Sequence, residues 1–348
     1  MKNISIVKLG AIGDVIQAAA AVNEYKQLHS DVKVNWIVGK PLEPFLSSMR
    51  VADRIIAIND QRILHGSLIE GVNSLLKSFY QIFIQIKNCD ELYIAHSNWQ
   101  YSVFAIPLLL RNPTLLFGGI KRFFPIVKEY RVSEYFHFLS EEAISVERSD
   151  SSLQSIGKNI ISTDSGFQFI ADPSKKCVAL VPGGSKNMMR DDFLRRWPID
   201  NYLELSRRLI ADGYDVVLVG GKGDAWVKPY FSGIQARDFI GETSINDVVN
   251  IFSKVNLVVS HDTGPLHLAT MTATPLVAIF GPTPASAVVP IGRKSLAVLR
   301  AGANVACAPC YDGVNYAPCK HPICMKSTTV DMVYEKAMAL LSEDSFGA

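Results

Sequence analysis

The strongest constraint on the fold is a rhythm: short apolar runs, each ending in glycine or a polar residue and followed by a longer helical stretch. The runs are 4–9, 32–38, 54–58 and 91–95 in the first half, then 176–181, 215–219, 256–260 and 275–280 in the second. Between them lie segments with helical spacing, among them 15–28, 68–86, 200–212, 245–254 and 266–272. A strand that is apolar throughout must be covered on both faces, which a parallel sheet flanked by helices provides. The expected fold class is α/β, and no repeat of solenoid period competes with it.

The rhythm weakens over 118–170, where the basic residues Lys121, Arg122, Lys128 and Arg131 precede a polar helix, and restarts after Ala171-Asp172-Pro173-Ser174. At 348 residues and 48% hydrophobic, the chain exceeds one compact core, so two domains of about 150 residues each are expected. The division falls at 1–172 and 173–348, with a last helix that can pack back on the first domain. The opening residues read as a first strand, not a signal peptide. The longest apolar stretch, 103–110, is far short of the roughly 20 residues that cross a bilayer, so a soluble, cytoplasmic protein is expected. A formal charge of +2 points to no general nucleic-acid partner.

In parallel α/β sheets ligands collect at the C-terminal ends of strands. Those ends carry Lys8-Leu9-Gly10-Ala11-Ile12-Gly13-Asp14, Pro182-Gly183-Gly184-Ser185, 220–224, Ser260-His261-Asp262-Thr263-Gly264-Pro265-Leu266-His267 and Gly281-Pro282-Thr283-Pro284. Neither the G-x-G-x-x-G spacing of a dinucleotide fold nor a complete Walker A sequence is present, which argues against a dehydrogenase or a P-loop ATPase. Asp262 and Thr263 suit a helix cap, with Gly264 allowing close backbone approach and Pro265 in the first turn. A phosphate fits the same place.

With these residues the sequence resembles glycosyltransferase family 9, the heptosyltransferases of lipopolysaccharide synthesis. The resemblance rests on Asp262-Thr263-Gly264-Pro265-Leu266-His267-Leu268-Ala269 and on Thr274-Pro275 through Gly281-Pro282-Thr283. It extends to Pro182-Gly183-Gly184-Ser185 with Arg195-Arg196-Trp197-Pro198, to Val219-Gly220-Gly221, and to Gly13-Asp14. It implies a GT-B fold, two Rossmann-like domains facing across a central cleft. It also implies inverting transfer of heptose or a related sugar from a nucleotide sugar, usually ADP-heptose, to a lipopolysaccharide core or another envelope glycan.

By the same resemblance Asp14 is the base, and Gly184, Ser185, Arg195, Asp224, Asp262, Thr263, Gly264, Pro265 and His267 hold the donor. Arg195 stands where the family has lysine, and Asp224 is the nearest match to an acidic residue by the nucleoside. Gly13, Lys121 and Arg122 are placed on the acceptor side, with peripheral contact to the inner membrane surface and no cofactor for the chemistry. A nucleotide-sugar epimerase on the same scaffold and a non-catalytic nucleotide-sugar-binding assembly protein are the alternatives.

Cys307, Cys310, Cys319 and Cys324 form C-x₂-C-x₈-C-x₄-C, a ligand set suited to structural zinc or iron or to reduced thiols. Cys89 and Cys177 read as buried core thiols.

Overall fold

The structure is a computed structural model. It describes residues 1–126, 128–162, 166–184, 192–300, 305–313 and 315–343, and of Leu64 and Glu343 the backbone only. The chain forms two compact units, Met1–Ile126 with Arg131–Asn159, and Val127–Tyr130 with Ile160–Ala348. The second unit therefore begins ahead of the stretch 171–174 at which the sequence rhythm restarts.

The first unit holds a five-stranded sheet in the order β3-β2-β1-β4-β5, built from β1 (Lys2–Val7), β2 (Val32–Gly39), β3 (Arg54–Ile58), β4 (Glu91–Ile94) and β5 (Ile120–Arg122). Every pairing is parallel. From β1 the chain steps outward to β2 and β3, then returns across the sheet to β4. The switch point lies between the C-terminal ends of β1 and β4, where the edges of the flanking connections diverge and leave a crevice. The helix Ile12–Leu28 is buried along most of its length, including the run Ala18 to Val22. Small side chains let it approach closely, and the helix Arg131–Ser140 packs against it.

The second unit holds a six-stranded parallel sheet, β11-β10-β9-β6-β7-β8. Its strands are β6 (Cys177–Val181), β7 (Asp215–Leu218), β8 (Arg237–Asp238), β9 (Leu257–His261), β10 (Leu276–Phe280) and β11 (Leu296–Arg300). The sequence pattern finds the four central strands and not the two edges. β6, β9 and β10 are buried at every position, as continuous apolar runs require, whereas β8 and β11 are half-buried and mixed in composition. Here the switch point lies between β6 and β9.

The helix Val330–Glu343 packs in this second unit. Val333, Ala337, Leu340 and Leu341 enter the core formed by Trp197, Tyr202, Val259 and Ile279. No helix among the described residues is long and apolar enough to cross a membrane.

Candidate active site

The second unit brings three strand ends together at its switch point. β6 ends in Pro182-Gly183-Gly184, β9 in Asp262-Thr263, and β10 in Gly281-Pro282-Thr283. Gly184 has φ +90°, and a Cβ there would lie 2.1 Å from Thr263 Oγ1. Only glycine suits both the left-handed backbone and the approach to the neighbouring loop. Thr263 is the N-cap position of the helix Gly264–Thr270, Gly264 and Pro265 form its first turn, and His267 is half-buried on it. The Thr263 side chain makes no cap hydrogen bond to the helix, and a helix of only seven residues contributes little dipole.

The charge at the site comes from side chains. Arg195 Nη1 lies 3.4 Å from the buried Asp262 carboxylate, and Arg195 Nη2 lies 3.2 Å from Asp192. Burial pushes the Asp262 carboxyl up, but the Arg195 guanidinium, a hydrogen bond from Thr283 and the nearby His267 outweigh it and hold the group below its ordinary range. Arg196 donates from Nε to the Gly184 carbonyl at 2.8 Å and lays its guanidinium over the Trp226 ring, 5.4 Å from the centroid. Two planar cations thus flank the Gly184 and Asp262 loops, suited to forked contacts with a diphosphate.

Asp224 is the brace of this arrangement. One carboxylate oxygen accepts from Gly184 N at 2.6 Å and the other from Gly221 N at 2.8 Å, locking the β6 and β7 loops together. The carboxylate is only 7% exposed, and Gly183 has no room for a Cβ beside it, at 2.6 Å. The amides of Gly184 and Gly221 are therefore engaged by Asp224, and the anion-binding capacity rests on the arginines. Under the strand ends, His261 Nδ1 meets the Tyr202 hydroxyl at 2.9 Å, and burial followed by the Arg195 charge pushes the imidazole down to about 3. Ser185 lies outside the described residues.

Tyr316 joins the site without any sequence signal. Cys310 N and Tyr311 N both donate to the Pro282 carbonyl, Tyr311 and Tyr316 pair as an antiparallel bridge, and the Tyr316 hydroxyl reaches within 3.5 Å of Thr283 Oγ1. Burial raises its phenol to about 12, Asp262 acts in the same direction, and Arg195 opposes. Tyr316 lies in a stretch of irregular spacing, so no periodicity could have marked it.

The cysteines serve this packing. All four are free thiols, and Cys324 packs so closely beside Gly281 that a Cβ there would lie 2.9 Å from its Sγ. Burial and the neighbouring thiols of Cys310, Cys307 and Cys319 raise the Cys324 pKa. Among the described residues no group of three or more His, Cys, Asp or Glu side chains is arranged to hold a metal ion. Cys324 is buried against Gly281, whereas Cys307 is exposed. Cys89 and Cys177 are buried, and burial lifts their thiols to about 11 and about 12.

In the first unit, Asp14 lies in the first turn of the helix Ile12–Leu28, two residues inside its start, and is not its cap. Its carboxylate meets Lys8 Nζ at 2.9 Å; the Lys8 side chain is 4% exposed and that of Asp14 44%, so the pair offers its carboxylate outward. Gly13 is buried beside it. His96, at the end of β4, accepts from Leu9 N through Nε2 at 2.9 Å and stacks on Tyr101. Burial, then Lys8, holds its pKa well below the ordinary value. His96 follows the same apolar-run-then-polar signature as the other strand ends, so a signal for it existed.

Lys121 pairs with Glu141 at 2.9 Å, Arg122 is aimed at the Ser97 carbonyl at 3.5 Å, and Arg131 pairs with Glu134. Lys128 belongs to the second unit.

The model of glycosyltransferase family 9 (heptosyltransferase) matches residues 129–321. Lipopolysaccharide heptosyltransferase 2 of Salmonella typhimurium is 33% identical over 108 residues, covering 29% of this chain and 31% of that protein. Lipooligosaccharide heptosyltransferase 2 of Haemophilus ducreyi is 23% identical over 325 residues, covering 85% and 88%. The matches to the first curated relatives span about a third of their length. The structure of the E. coli ADP-heptose lipopolysaccharide heptosyltransferase II is similar with a TM-score of 0.68 at 17% identity, covering 99% of this chain and 100% of that one.

Proposed function

The chain belongs to glycosyltransferase family 9, the heptosyltransferases, and on that premise we propose that it transfers heptose or a related sugar, with inversion, from ADP-heptose to a lipopolysaccharide core or similar envelope glycan. The observation that carries this proposal is the buried Arg195–Asp262 pair beside Arg196 at the β6/β9 switch point, which offers fixed cations to a diphosphate. Thr263, Gly264, Pro265 and His267 border the donor, with Ser185 in the same loop as Gly184. Asp224 acts on it through the two loops it ties.

Asp14 is the base. The acceptor hydroxyl gives its proton to the Asp14 carboxylate as its oxygen bonds to the anomeric carbon. The bond from that carbon to the diphosphate oxygen breaks, and ADP departs with the electron pair. Charge grows on the leaving oxygen, where Arg195 and Arg196 stabilise it more than in the ground state. Lys8 orients the base, and Gly13, Lys121 and Arg122 lie on the acceptor side. No cofactor enters these steps. The enzyme works in the cytoplasm, at the inner membrane surface.

Calorimetry with ADP, followed by a donor screen with and without envelope acceptors, tests the proposal. ADP binding that weakens in Asp262→Asn, and transfer that requires an acceptor, are expected. Sugar inverted or hydrolysed equally well without acceptor would instead mark an epimerase or hydrolase.

A further inference from the structure

The helix Leu68–Gln85 carries two apolar stripes. Leu75, Phe79 and Ile82 face the core of the first unit with Ile58, Ile86 and Leu92. Ile69, Val72, Leu76, Tyr80 and Phe83, spaced by three and four residues, form a second stripe that is exposed to solvent along its length. A helix of this size runs about 27 Å, so the exposed stripe is long. The helix Ile106–Arg111 packs beside it: Arg111 donates to the Phe83 carbonyl and covers the Phe83 ring at 5.0 Å. Leu110, Leu116 and Phe117 are exposed on this neighbouring segment, Phe117 by 91%. Contiguous apolar surface of this extent marks an interaction site.

The charges around the stripe are mainly basic. Lys77 and Lys87 are exposed, and Arg111 stands at the junction of the two helices. The one acid on the helix, Glu70, is engaged in a capping box with Ser67, and Asp90 accepts from Asn3 N. A second copy of the chain meets this face poorly. Two copies packed on this face would set the cations at its margins, Lys77, Lys87 and Arg111, against one another, with no acid of the helix left to answer them. An anionic lipid surface answers each of these cations and takes up the apolar stripe at the same time.

We propose that this face of the first unit lies on an anionic lipid surface, the stripe entering the headgroup–acyl boundary and Lys77, Lys87 and Arg111 meeting lipid phosphates. The proposal gives a specific face to the membrane contact suggested with the enzymatic activity, yet it stands on the first unit alone. Vesicle binding and sugar transfer are separate readouts, so either can fail without the other.

The test is co-sedimentation of the full chain with vesicles of phosphatidylglycerol and phosphatidylcholine in equal parts, and with phosphatidylcholine alone. The wild type is expected to bind the anionic vesicles, to release with added salt, and to bind neutral ones much less. Each cation near the surface contributes about fivefold in partition, so the Lys77→Glu/Lys87→Glu double variant should lose at least about 25-fold. Leu76→Ser/Tyr80→Ser should also lose binding. All four positions are exposed, and unchanged circular dichroism with retained ADP binding confirms the fold of each variant. Failure of the wild type to bind anionic vesicles, or equal binding to neutral ones, overturns the proposal without reference to any variant. So does a wild-type dimer in sedimentation velocity that Leu76→Ser/Tyr80→Ser dissolves, which assigns the face to a second copy.

Discussion

Asp224→Ala removes both acceptors that hold the β6 and β7 loops together. The bonds lost are those from Gly184 N at 2.6 Å and Gly221 N at 2.8 Å, both to a carboxylate in a nearly closed environment. A hydrogen bond to a charged group contributes about 1.5–3 kcal/mol, and an amide left unanswered in the interior costs about as much as the bond was worth. Two such bonds sum to about 3–6 kcal/mol, and water entering the space vacated by the carboxylate recovers part of this. A net loss of about 3 kcal/mol in the stability of the second unit is expected. Asn at 224 keeps one acceptor and turns an NH₂ toward the other amide, so Asp224→Asn should lose about 2 kcal/mol.

The two loops also set the position of Gly184 against Thr263 and of Arg196 against Gly184, so ADP affinity should fall about tenfold or more with the alanine change. Urea unfolding of the three proteins measures the first quantity and calorimetry the second. A stability of Asp224→Ala within about 1 kcal/mol of the wild type, together with unchanged ADP affinity, would refute the bracing role.

The remaining predictions concern neighbours of this site. His261 is held down to about 3, whereas in the unfolded chain it titrates near its ordinary value, about 6.5. Its contribution to stability is therefore complete above that ordinary value and falls by about 1.4 kcal/mol per pH unit below it, down toward the folded pKa. Urea unfolding of His261→Gln across this window should show a pH slope smaller by one proton; an unchanged slope contradicts the buried neutral imidazole. Gly184→Ala should cost at least about 2 kcal/mol, from the left-handed backbone and the clash with Thr263, and weaken ADP in calorimetry. Tyr316→Phe should raise the Michaelis constant for the donor about threefold to tenfold with little change in kcat, because its hydroxyl faces Thr283 and Arg195 in the ground state as well. A fall in kcat alone would move Tyr316 out of donor binding.

Much of this architecture is legible in the sequence because parallel central strands are buried on both faces. The runs at 54–58, 256–260 and 275–280 match β3, β9 and β10 to within a residue. The edges are not legible for the converse reason. β5 is Ile-Lys-Arg and β8 is Arg-Asp, both half-buried, and neither short segment has a period to detect. At the site, Asp262, Thr263 and Gly184 stand out as a strand-end pattern, and the structure does bring them together. Chemistry between distant segments does not stand out. Asp224 is recognisable as an acid after Gly220-Gly221, but its grip on Gly184 depends on β6 and β7 being neighbours. Lys8 looks like a strand residue until its ammonium is found on Asp14. Tyr316 comes to Thr283 only because the cysteine segment is anchored on the Pro282 carbonyl. The cysteine spacing allows structural metal or reduced thiols, and nothing in it marks Cys324 as the thiol that lies against Gly281.

The most direct test of the proposed chemistry is turnover of ADP-heptose with a lipopolysaccharide-core acceptor, comparing the wild type with Asp14→Asn while ADP affinity is followed in parallel. The exchange keeps the size of the side chain and removes its capacity to take a proton. Transfer by the wild type, a loss of about 10² to 10⁴ in kcat for Asp14→Asn and unchanged ADP affinity are expected. Transfer undiminished in Asp14→Asn would remove Asp14 as the base, and absence of any acceptor-dependent transfer by the wild type would contradict heptosyl transfer itself.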